Sequence, residues 1–325
     1  ERILQLLHQK PSHIVMPAIH LKREEVGRMF EEKGISTEKG NDDPTYLTQC
    51  ARKHLRNQFM EAGAGMTGCN FGVAKTGDIV VCTNEGNADM TTSMPKLHLV
   101  AMGIEKIVPD YKSLAVFQRL LCRSATGQPT TAYTSHFRQA RPGAEMHVIL
   151  VDNGRSDILA NDEHWETLKC IRCGACMNTC PVYRRSGGYS YTYFIPGPIG
   201  INLGMLHDAS RYNDNVSACT LCLSCDNVCP AKVNPGSQVY MWRQKLDSLH
   251  KANTMKKCMS KGMEELFDHP QLYSSALRLA PLANLIPEGL THIRTLNPWG
   301  VAHAMPNFAK ESFQTMWKKG KLKKQ

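Results

Sequence analysis

Two amphipathic stretches open the chain. In residues 21–33 (LKREEVGRMFEEK) apolar side chains recur at helical spacing, and Gly34 follows as a typical C-terminal cap. Residues 44–62 continue the helical pattern, with an aspartate just before them as N-cap and Pro44 in the first turn, where its missing N–H needs no partner. We predict two helices here.

Between residues 71 and 151 the pattern changes to short apolar or β-branched runs, which are typical of strands. The predicted strands are FGVA (71–74), DIVVCT (78–83), LHLVAM (97–102), KIVP (106–109) and HVILV (147–151). Residues 111–124 between them have helical periodicity. Strands that alternate with helices indicate an α/β domain, which we expect to end near Asn153.

Beyond residue 155 the β-rich runs disappear. Residues 155–180 and 201–280 have the pattern of helices and tight turns, whereas the glycines and prolines of residues 186–200 predict no regular element. We therefore divide the chain into an α/β domain (1–155), a mainly α-helical domain (156–285) and a C-terminal extension with a basic tail (286–325).

Composition and charge narrow the class of protein. The chain has 325 residues and a net charge of +10, much of it in the tail MWKKGKLKKQ (316–325). We interpret this tail as a solvated end, with an anionic membrane surface or an acidic redox partner as alternatives. No nucleic-acid recognition motif accompanies the charge, and no apolar run approaches the ~20 residues of a membrane-spanning helix. We expect a cytoplasmic protein, with peripheral contact at the inner face of the cell membrane as the alternative.

Eight of the thirteen cysteines fall into two copies of one motif. CIRCGACMNTCP (170–181) and CTLCLSCDNVCP (219–230) both have the spacing C-x2-C-x2-C-x3-C-P. In two-cluster ferredoxins the fourth cysteine of such a run ligates the other cluster. We therefore assign one 4Fe-4S cluster to Cys170, Cys173, Cys176 and Cys229, and the other to Cys219, Cys222, Cys225 and Cys180.

Structural zinc and disulfides are the alternatives. Structural zinc takes four ligands, usually in two pairs, which would leave the third and fourth cysteines of both copies unexplained. The helical flanks resemble the α-helical ferredoxin modules of succinate dehydrogenase, glycolate oxidase and heterodisulfide reductase subunits. The nearby basic residues would either raise a cluster's reduction potential or be solvated surface charges; they are Arg172, Arg184, Arg185 and Lys232.

Two further stretches are candidates for ligand binding. GAGMTG (63–68) satisfies G-x-G-x-x-G, but a predicted helix precedes it and a strand follows, so we interpret it as a helix-to-strand connection rather than a dinucleotide site. In CTNEGNADM (82–90) a predicted strand leads into a polar turn. Its residues Asn84, Glu85, Gly86 and Asn87 either bind a ligand, with Glu85 as base or acceptor, or merely satisfy the turn's own backbone.

Five stretches in this order resemble the lactate-utilisation iron-sulfur protein B family. They are GMTGCNFGVAKTGDIVVCTNEGNADM, RSATGQPTTAY, VDNGRSDIL, CIRCGACMNTCPVYR and PGPIG. The resemblance implies a lactate-utilisation domain related to the sugar-phosphate isomerase and CoA-transferase type of α/β fold, incomplete at its N-terminus. It also implies two 4Fe-4S clusters and two partners, lactate-utilisation proteins A and C.

The function that follows from the resemblance is electron transfer in a complex that oxidises L-lactate to pyruvate. In this hypothesis the chain is a subunit of an oxidoreductase that does not use NAD, rather than the unit that abstracts hydride, and it passes electrons to an acceptor that the sequence does not identify. No catalytic residue is predicted, because the histidines in question stand isolated; they are His98, His136, His147 and His164. The alternatives are an α/β enzyme for an acyl or phosphorylated ligand, with redox-sensing or structural clusters, and a scaffold that docks partners.

Overall fold

The computed structural model describes residues 2–248, 254–293, 303 and 306–321. The chain forms two compact units, Glu1–Lys251 and Ala252–Gln325. The strands that the structure describes and both cysteine motifs lie in the first unit.

The elements follow one another along the chain as follows. The strands are β1 (Ala64–Gly68), β2 (Phe71–Val73), β3 (Asp78–Thr83), β4 (Leu97–Gly103), β5 (Ile107–Val108), β6 (Tyr133–Phe137) and β7 (Glu145–Val151). The helices of the first unit are α1 (Arg2–Leu6), α2 (Arg23–Glu32), α3 (Pro44–Glu61), α4 (Asn87–Ser93), α5 (Tyr111–Thr126), α6 (Arg155–Leu159), α7 (Ala175–Thr179), α8 (Pro181–Ser186), α9 (Gly197–Tyr212), α10 (Asp214–Ala218), α11 (Ser224–Val228) and α12 (Pro235–Ser248). Short 3-10 turns cover Ile104–Lys106, Trp165–Lys169 and Gly188–Ser190.

The two predicted N-terminal helices are confirmed as α2 and α3. The carboxylate of Asp43 caps α3 by accepting a hydrogen bond from the backbone N–H of Tyr46 at 2.8 Å. Met29 and Phe30 of α2 pack against Leu47 of α3. This buried apolar contact is what holds two otherwise solvated helices together.

The strands form two sheets. β1, β4 and β7 make a parallel sheet in the order β1-β4-β7, and a second sheet has the order β5-β2-β3-β6. In the parallel sheet Val100 of β4 is fully buried and pairs with Thr67 on one side and Val148 on the other. The loops after β1, β4 and β7 meet at one edge, because the carboxyl ends of parallel strands lie together.

The G-x-G-x-x-G stretch is part of a strand, so our interpretation of it as a connection is wrong in detail. Residues 64–68 form β1 and pair with Leu97–Ala101. A Cβ on Gly65 would lie 2.0 Å from the backbone oxygen of Thr91 in α4. The glycine therefore permits the close approach of a helix to the sheet, and no phosphate-binding loop is formed.

The prediction of no regular element over residues 186–200 is also wrong at its end. Helix α9 begins at Gly197, so GPIG forms its first turn. Gly197 has a φ of 75°, which only glycine adopts without strain, and Pro198 occupies a first-turn position whose N–H needs no helical partner. Glycine and proline thus start a helix here instead of interrupting one.

One hydrophobic core joins the α/β region to the first cysteine motif. Strand residues Phe71 and Val108 pack together with Ile171, Cys173 and Ala175. A separate core beneath both motifs contains Met177, Ile199, Val239 and Trp242. The first motif therefore lies between the α/β region and the helical region, whereas the second lies in the helical region.

The second unit contains α13 (Thr254–Asp268), α14 (Pro270–Leu279), α15 (Glu288–Thr291), α16 (Phe313–Lys318) and a 3-10 turn (Ala280–Leu285). In the predicted basic tail, Lys319 and Lys321 each pair with Glu311 at 2.9 and 2.8 Å. Residues 322–325 of that tail lie outside the described residues, so its predicted role stays a prediction.

Asp78 makes the stability of the α/β region depend on pH. Hydroxyl groups of Thr76 and Tyr111 donate hydrogen bonds to its carboxylate, the latter at 2.6 Å, and they hold the pKa of Asp78 below its usual value. A depressed carboxyl pKa stabilises the fold above the unfolded-state pKa of about 3.9, and this contribution is lost as the pH falls through the folded-state pKa.

We expect Asp78→Asn to lower the free energy of unfolding at pH 7 by about 1–2 kcal/mol. The difference from wild type should shrink as the pH falls below about 4. Denaturant unfolding followed at several pH values measures both effects. A deficit in Asp78→Asn that stays constant down to acid pH would contradict this role for the carboxylate.

Candidate iron-sulfur centre

The two cysteine motifs adopt nearly the same backbone structure. In each, the second cysteine is followed by one residue and then a five-residue helix, α7 or α11, that carries the third cysteine. The fourth cysteine ends that helix with similar dihedral angles, φ −71° and ψ 119° at Cys180 and φ −68° and ψ 114° at Cys229. The repeat that is visible in the sequence is therefore also a repeat in structure.

Left-handed residues recur at matching positions in both motifs. Arg172 and Leu221 have φ values of 63° and 53°, and Gly174 and Leu223 have φ values of 77° and 57°. Single left-handed residues between right-handed ones turn successive N–H groups toward one side and form a concave anion-binding surface, as in many iron-sulfur sites. Non-glycine residues adopt this conformation at a cost of roughly 1–2 kcal/mol each, so the surrounding structure must favour it.

A cavity in the first motif brings together the first predicted ligand set. Its cysteines come from both motifs, since Cys229 faces the same space as the three cysteines of the first run. The cavity is lined by Ile14, Cys170, Ile171, Arg172, Cys173, Gly174, Ala175, Cys176, Ile199, Cys229, Pro230, Ala231, Val233 and Pro235. Its walls are therefore thiols, apolar side chains and backbone, with one guanidinium group.

The second predicted set is assembled in the same crossed manner. The electrostatic neighbours of Cys219 include Cys180 and Cys222, and those of Cys225 include Cys180 and Cys219. Backbone N–H groups point at the sulfurs, with Leu221 N 3.4 Å from Cys219 Sγ and Tyr183 N 3.5 Å from Cys180 Sγ. Cys180 of the first motif thus lies among the thiols of the second.

Burial and neighbouring thiols raise the pKa of the central cysteines. Burial is the largest cause at Cys173, Cys176 and Cys225, and together with the neighbouring Asp226 carboxylate it raises the pKa of Cys225 to about 12. Nearby cysteines add to the effect because several thiolates in one apolar space repel one another. Such a set binds iron only as thiolates, so loading the site must release protons.

The neighbouring helices α7 and α11 place the two sites next to each other. Cys176 on α7 has Cys225 on α11 among its electrostatic neighbours, although the two belong to different predicted sets. The hydroxyl groups of Thr179 and Ser224 are 2.6 Å apart and join the two helices. The structure therefore keeps the two thiol sets side by side.

The residues present fit 4Fe-4S clusters. The donor set consists of thiols spread around a cavity, and backbone N–H groups supply the hydrogen bonds that cluster and cysteine sulfurs accept. All thirteen cysteines are free of disulfides. Within the described ranges, no three His, Cys, Asp or Glu side chains converge closely enough to hold a single metal ion.

An N-terminal segment, residues 12–16, supports the first motif, although it contains no sequence motif of its own. Buried His13 accepts hydrogen bonds at Nδ1 from Val15 N and Met16 N, so its Nε2–H donates to Asn178 Oδ1 at 3.1 Å. The hydroxyl of Tyr183 donates to Ser12 O at 2.6 Å. Only the polar character of these side chains is visible in the sequence, and nothing in it predicts their long-range pairing.

The four predicted basic residues differ in position. Arg184, Arg185 and Lys232 are exposed. Arg172 lines the first cavity, and its Nη1 is buried without a hydrogen-bond partner. Of the four, only Arg172 has the geometry expected of a residue that stabilises negative charge in the cavity.

The polar turn after β3 makes a compact set of internal hydrogen bonds. Asn84 Oδ1 accepts from Ala132 N at 3.0 Å, and Asn87 Oδ1 accepts from Ala88 N at 2.8 Å. Glu85 N donates to Thr83 Oγ1 at 3.1 Å, and Asn87 begins α4. These contacts match the turn-satisfying interpretation, and ligand binding by Asn84, Glu85, Gly86 and Asn87 stays a prediction.

The four histidines occupy unrelated places. His98 is buried and hydrogen-bonded to Thr67 Oγ1 at 2.8 Å, whereas His136 and His147 are exposed. His164 is fully buried and stacks on Trp242 with ring centroids 3.9 Å apart. None of them is placed beside another to form an acid-base pair.

Comparisons with known proteins agree with this architecture. Residues 4–158 match the LUD domain family, and residues 166–233 match the 4Fe-4S dicluster domain family. The fold and the paired motifs thus define an iron-sulfur protein in which a LUD domain precedes a ferredoxin-like domain, as predicted. No solved structure matches the chain significantly, so the expected kinship to isomerases and CoA-transferases stays a prediction.

Several curated relatives match nearly the whole chain. Lactate utilization protein B of Bacillus cytotoxicus is 38% identical over 335 residues, which cover 99% of this chain and 70% of the relative. The uncharacterized electron transport protein YkgF of Escherichia coli K12 is 37% identical over 330 residues, which cover 98% of this chain and 69% of the relative. Lactate utilization protein B of Shouchella clausii is 37% identical over 333 residues, covering 98% and 69%. The chain belongs to the lactate utilization protein B family.

No helix among the described residues is both long and apolar enough to span a membrane.

Proposed function

We propose that this chain is the iron-sulfur electron-transfer subunit of a cytoplasmic complex that oxidises L-lactate to pyruvate. The cavity in which Cys229 faces the three cysteines of the first motif supports the proposal most. Relatives across nearly the full length bear the name lactate utilization protein B, which supports lactate as the electron source.

In this proposal the chain binds two 4Fe-4S clusters with crossed ligands. Cys170, Cys173, Cys176 and Cys229 hold the first, and Cys219, Cys222, Cys225 and Cys180 hold the second. When bound, each cluster supplies a carrier for one electron, and lactate oxidation releases two.

The protein itself positions the two clusters and excludes water from the first cavity. α7 and α11 hold the two thiol sets side by side, so electrons pass over a short distance. Ile171, Ile199 and Val233 close the first cavity against solvent, since each is at most 7% exposed. The lactate-oxidising chemistry itself belongs to the partners in this proposal, which we take to be lactate-utilisation proteins A and C.

Reconstitution with the partners tests the function. We expect L-lactate to reduce the anaerobically loaded chain only when proteins A and C are present, as measured by electron paramagnetic resonance. A Cys173→Ser/Cys222→Ser variant, mixed with the same partners, is the matched control that lacks one ligand of each proposed cluster. Lactate oxidation that continues undiminished with this variant would contradict the proposal and favour an α/β enzyme with structural clusters.

A further inference from the structure

The α/β region delivers a lysine to the first cluster site. Lys106 ends the 3-10 turn that follows β4, at the edge where the parallel strands end. Two residues later, Val108 packs in the same core as Ile171 and Cys173 of the first motif. The packing of Val108 places the turn that carries Lys106 beside the first motif, and Cys170 and Arg172 are among the electrostatic neighbours of Lys106.

Lys106 and Arg172 form a pair of cations, and neither makes an ion pair with a carboxylate of the described residues. In the described part of the chain neither side chain makes a hydrogen bond or an ion pair, and Arg172 Nη1 is buried. The carboxylate of Glu105, the residue before Lys106, is paired with Arg155 Nε. Burial and the neighbouring Arg172 lower the pKa of Lys106, whereas the Cys170 thiolate and Glu105 raise it.

Two partly buried like charges repel each other unless negative charge lies close to both. The four cysteines of the first cavity, which Arg172 also lines, become thiolates when they hold a cluster, and they then supply negative charge beside both cations. A cluster in this cavity would therefore offset the repulsion between Lys106 and Arg172, since Glu105 is already paired with Arg155.

The second site has a different charge environment. The carboxylate of Asp226 lies 3.5 Å from Cys225 Sγ. It accepts hydrogen bonds from Gly236 N, Ser237 N at 2.9 Å and Ser237 Oγ at 2.7 Å, which fix it beside the sulfur. Arg243 supplies one cation by donating to the backbone oxygens of Val216 and Cys219. One anion thus offsets one cation at the second site, whereas the first has two unpaired cations.

We propose that Lys106 and Arg172 give the first cluster the higher reduction potential and that Asp226 lowers the potential of the second. Nearby positive charge favours the reduced, more negative cluster, and nearby negative charge disfavours it. When the chain is reduced by one electron, that electron then resides on the first cluster, which lies next to the LUD domain. This inference rests on the crossed ligand assignment of the proposed function.

A redox titration of the anaerobically loaded full-length chain tests the asymmetry. Iron and acid-labile sulfide are measured first, and the chain is then reduced stepwise by dithionite with mediators and followed by electron paramagnetic resonance. We expect Lys106→Met to shift the electron distribution away from the first cluster by about tenfold, which is about 59 mV for one electron. Asp226→Asn should raise the second midpoint, so each variant narrows the gap between the two potentials.

Matched controls separate these effects from general changes in charge. Lys75→Met and Asp162→Asn alter exposed residues of the same types and should leave both midpoints unchanged. Lys106→Arg keeps the charge and should retain the wild-type gap. The proposal is overturned if the fully loaded Lys106→Met and Asp226→Asn variants both titrate like their controls.

Lactate plays no part in this titration, so its outcome is independent of the electron source. A chain that shows the asymmetry but is not reduced by lactate with partners would refute the proposed function and retain the inference. If Lys106→Met loses iron, the Asp226→Asn variant alone tests the proposal. An unchanged midpoint potential of the second cluster in that variant overturns the proposal.

Discussion

Replacing Cys229 by serine is expected to abolish the cluster held by the first motif, although Cys229 belongs to the second. The reason is geometric, since Cys229 lines the cavity of Cys170, Cys173 and Cys176. Iron and sulfide content should fall to about half, because one of two proposed 4Fe-4S clusters is lost. The remaining paramagnetic signal should match that of Cys173→Ser.

The reciprocal variant makes this test decisive. Cys180→Ser should leave the same signal as Cys222→Ser, because both would remove the second cluster. Exposed Cys258 lies in the second unit, so Cys258→Ser is the matched control and should retain full iron content. Crossed ligation is excluded if Cys229→Ser resembles Cys222→Ser instead of Cys173→Ser.

Local patterns were sufficient to predict much of the fold. The helices at residues 21–33, 44–62 and 111–124 are confirmed as α2, α3 and α5, and all five predicted strands are present. Each of these elements has a periodicity or cap within its own residues, so no distant contact is needed to recognise it. The cysteine motifs are equally local, because ligand spacing is set by short loops.

Features that depend on distant partners were not predictable. β1 was missed because its glycine-rich sequence has low strand propensity, and it becomes a strand only by pairing with β4. β6 (Tyr133–Phe137) is mostly exposed on both faces and lacks the alternation that marks a strand. His13 and Lys106 reach the first motif from far away in the sequence, and nothing in their neighbourhood signals that contact.

Gly200→Ala is expected to have the largest effect of any conservative change in the helical region. A Cβ at this position in α9 would lie 1.7 Å from the backbone oxygen of Ile195 and 2.6 Å from its carbonyl carbon. Backbone atoms cannot move aside as a flexible side chain does, so α9 would have to shift together with Ile199, which closes the first cavity. Overpacking typically costs about 1–3 kcal/mol in the free energy of unfolding, and a clash with backbone atoms places Gly200→Ala at the upper end of that range.

Gly262→Ala is the matched control for Gly200→Ala. Gly262 also lies inside a helix, α13, but among the described residues no atom beyond its chain neighbours and its own helix backbone is within 4 Å of the position its Cβ would take. The higher helix propensity of alanine should therefore leave stability unchanged or raise it by up to about 1 kcal/mol. Denaturant midpoints and the rate of iron release to a chelator measure both variants. Gly200→Ala should unfold at lower denaturant and release iron faster than wild type. Equal midpoints for Gly200→Ala and wild type would show that the contact with Ile195 relaxes freely.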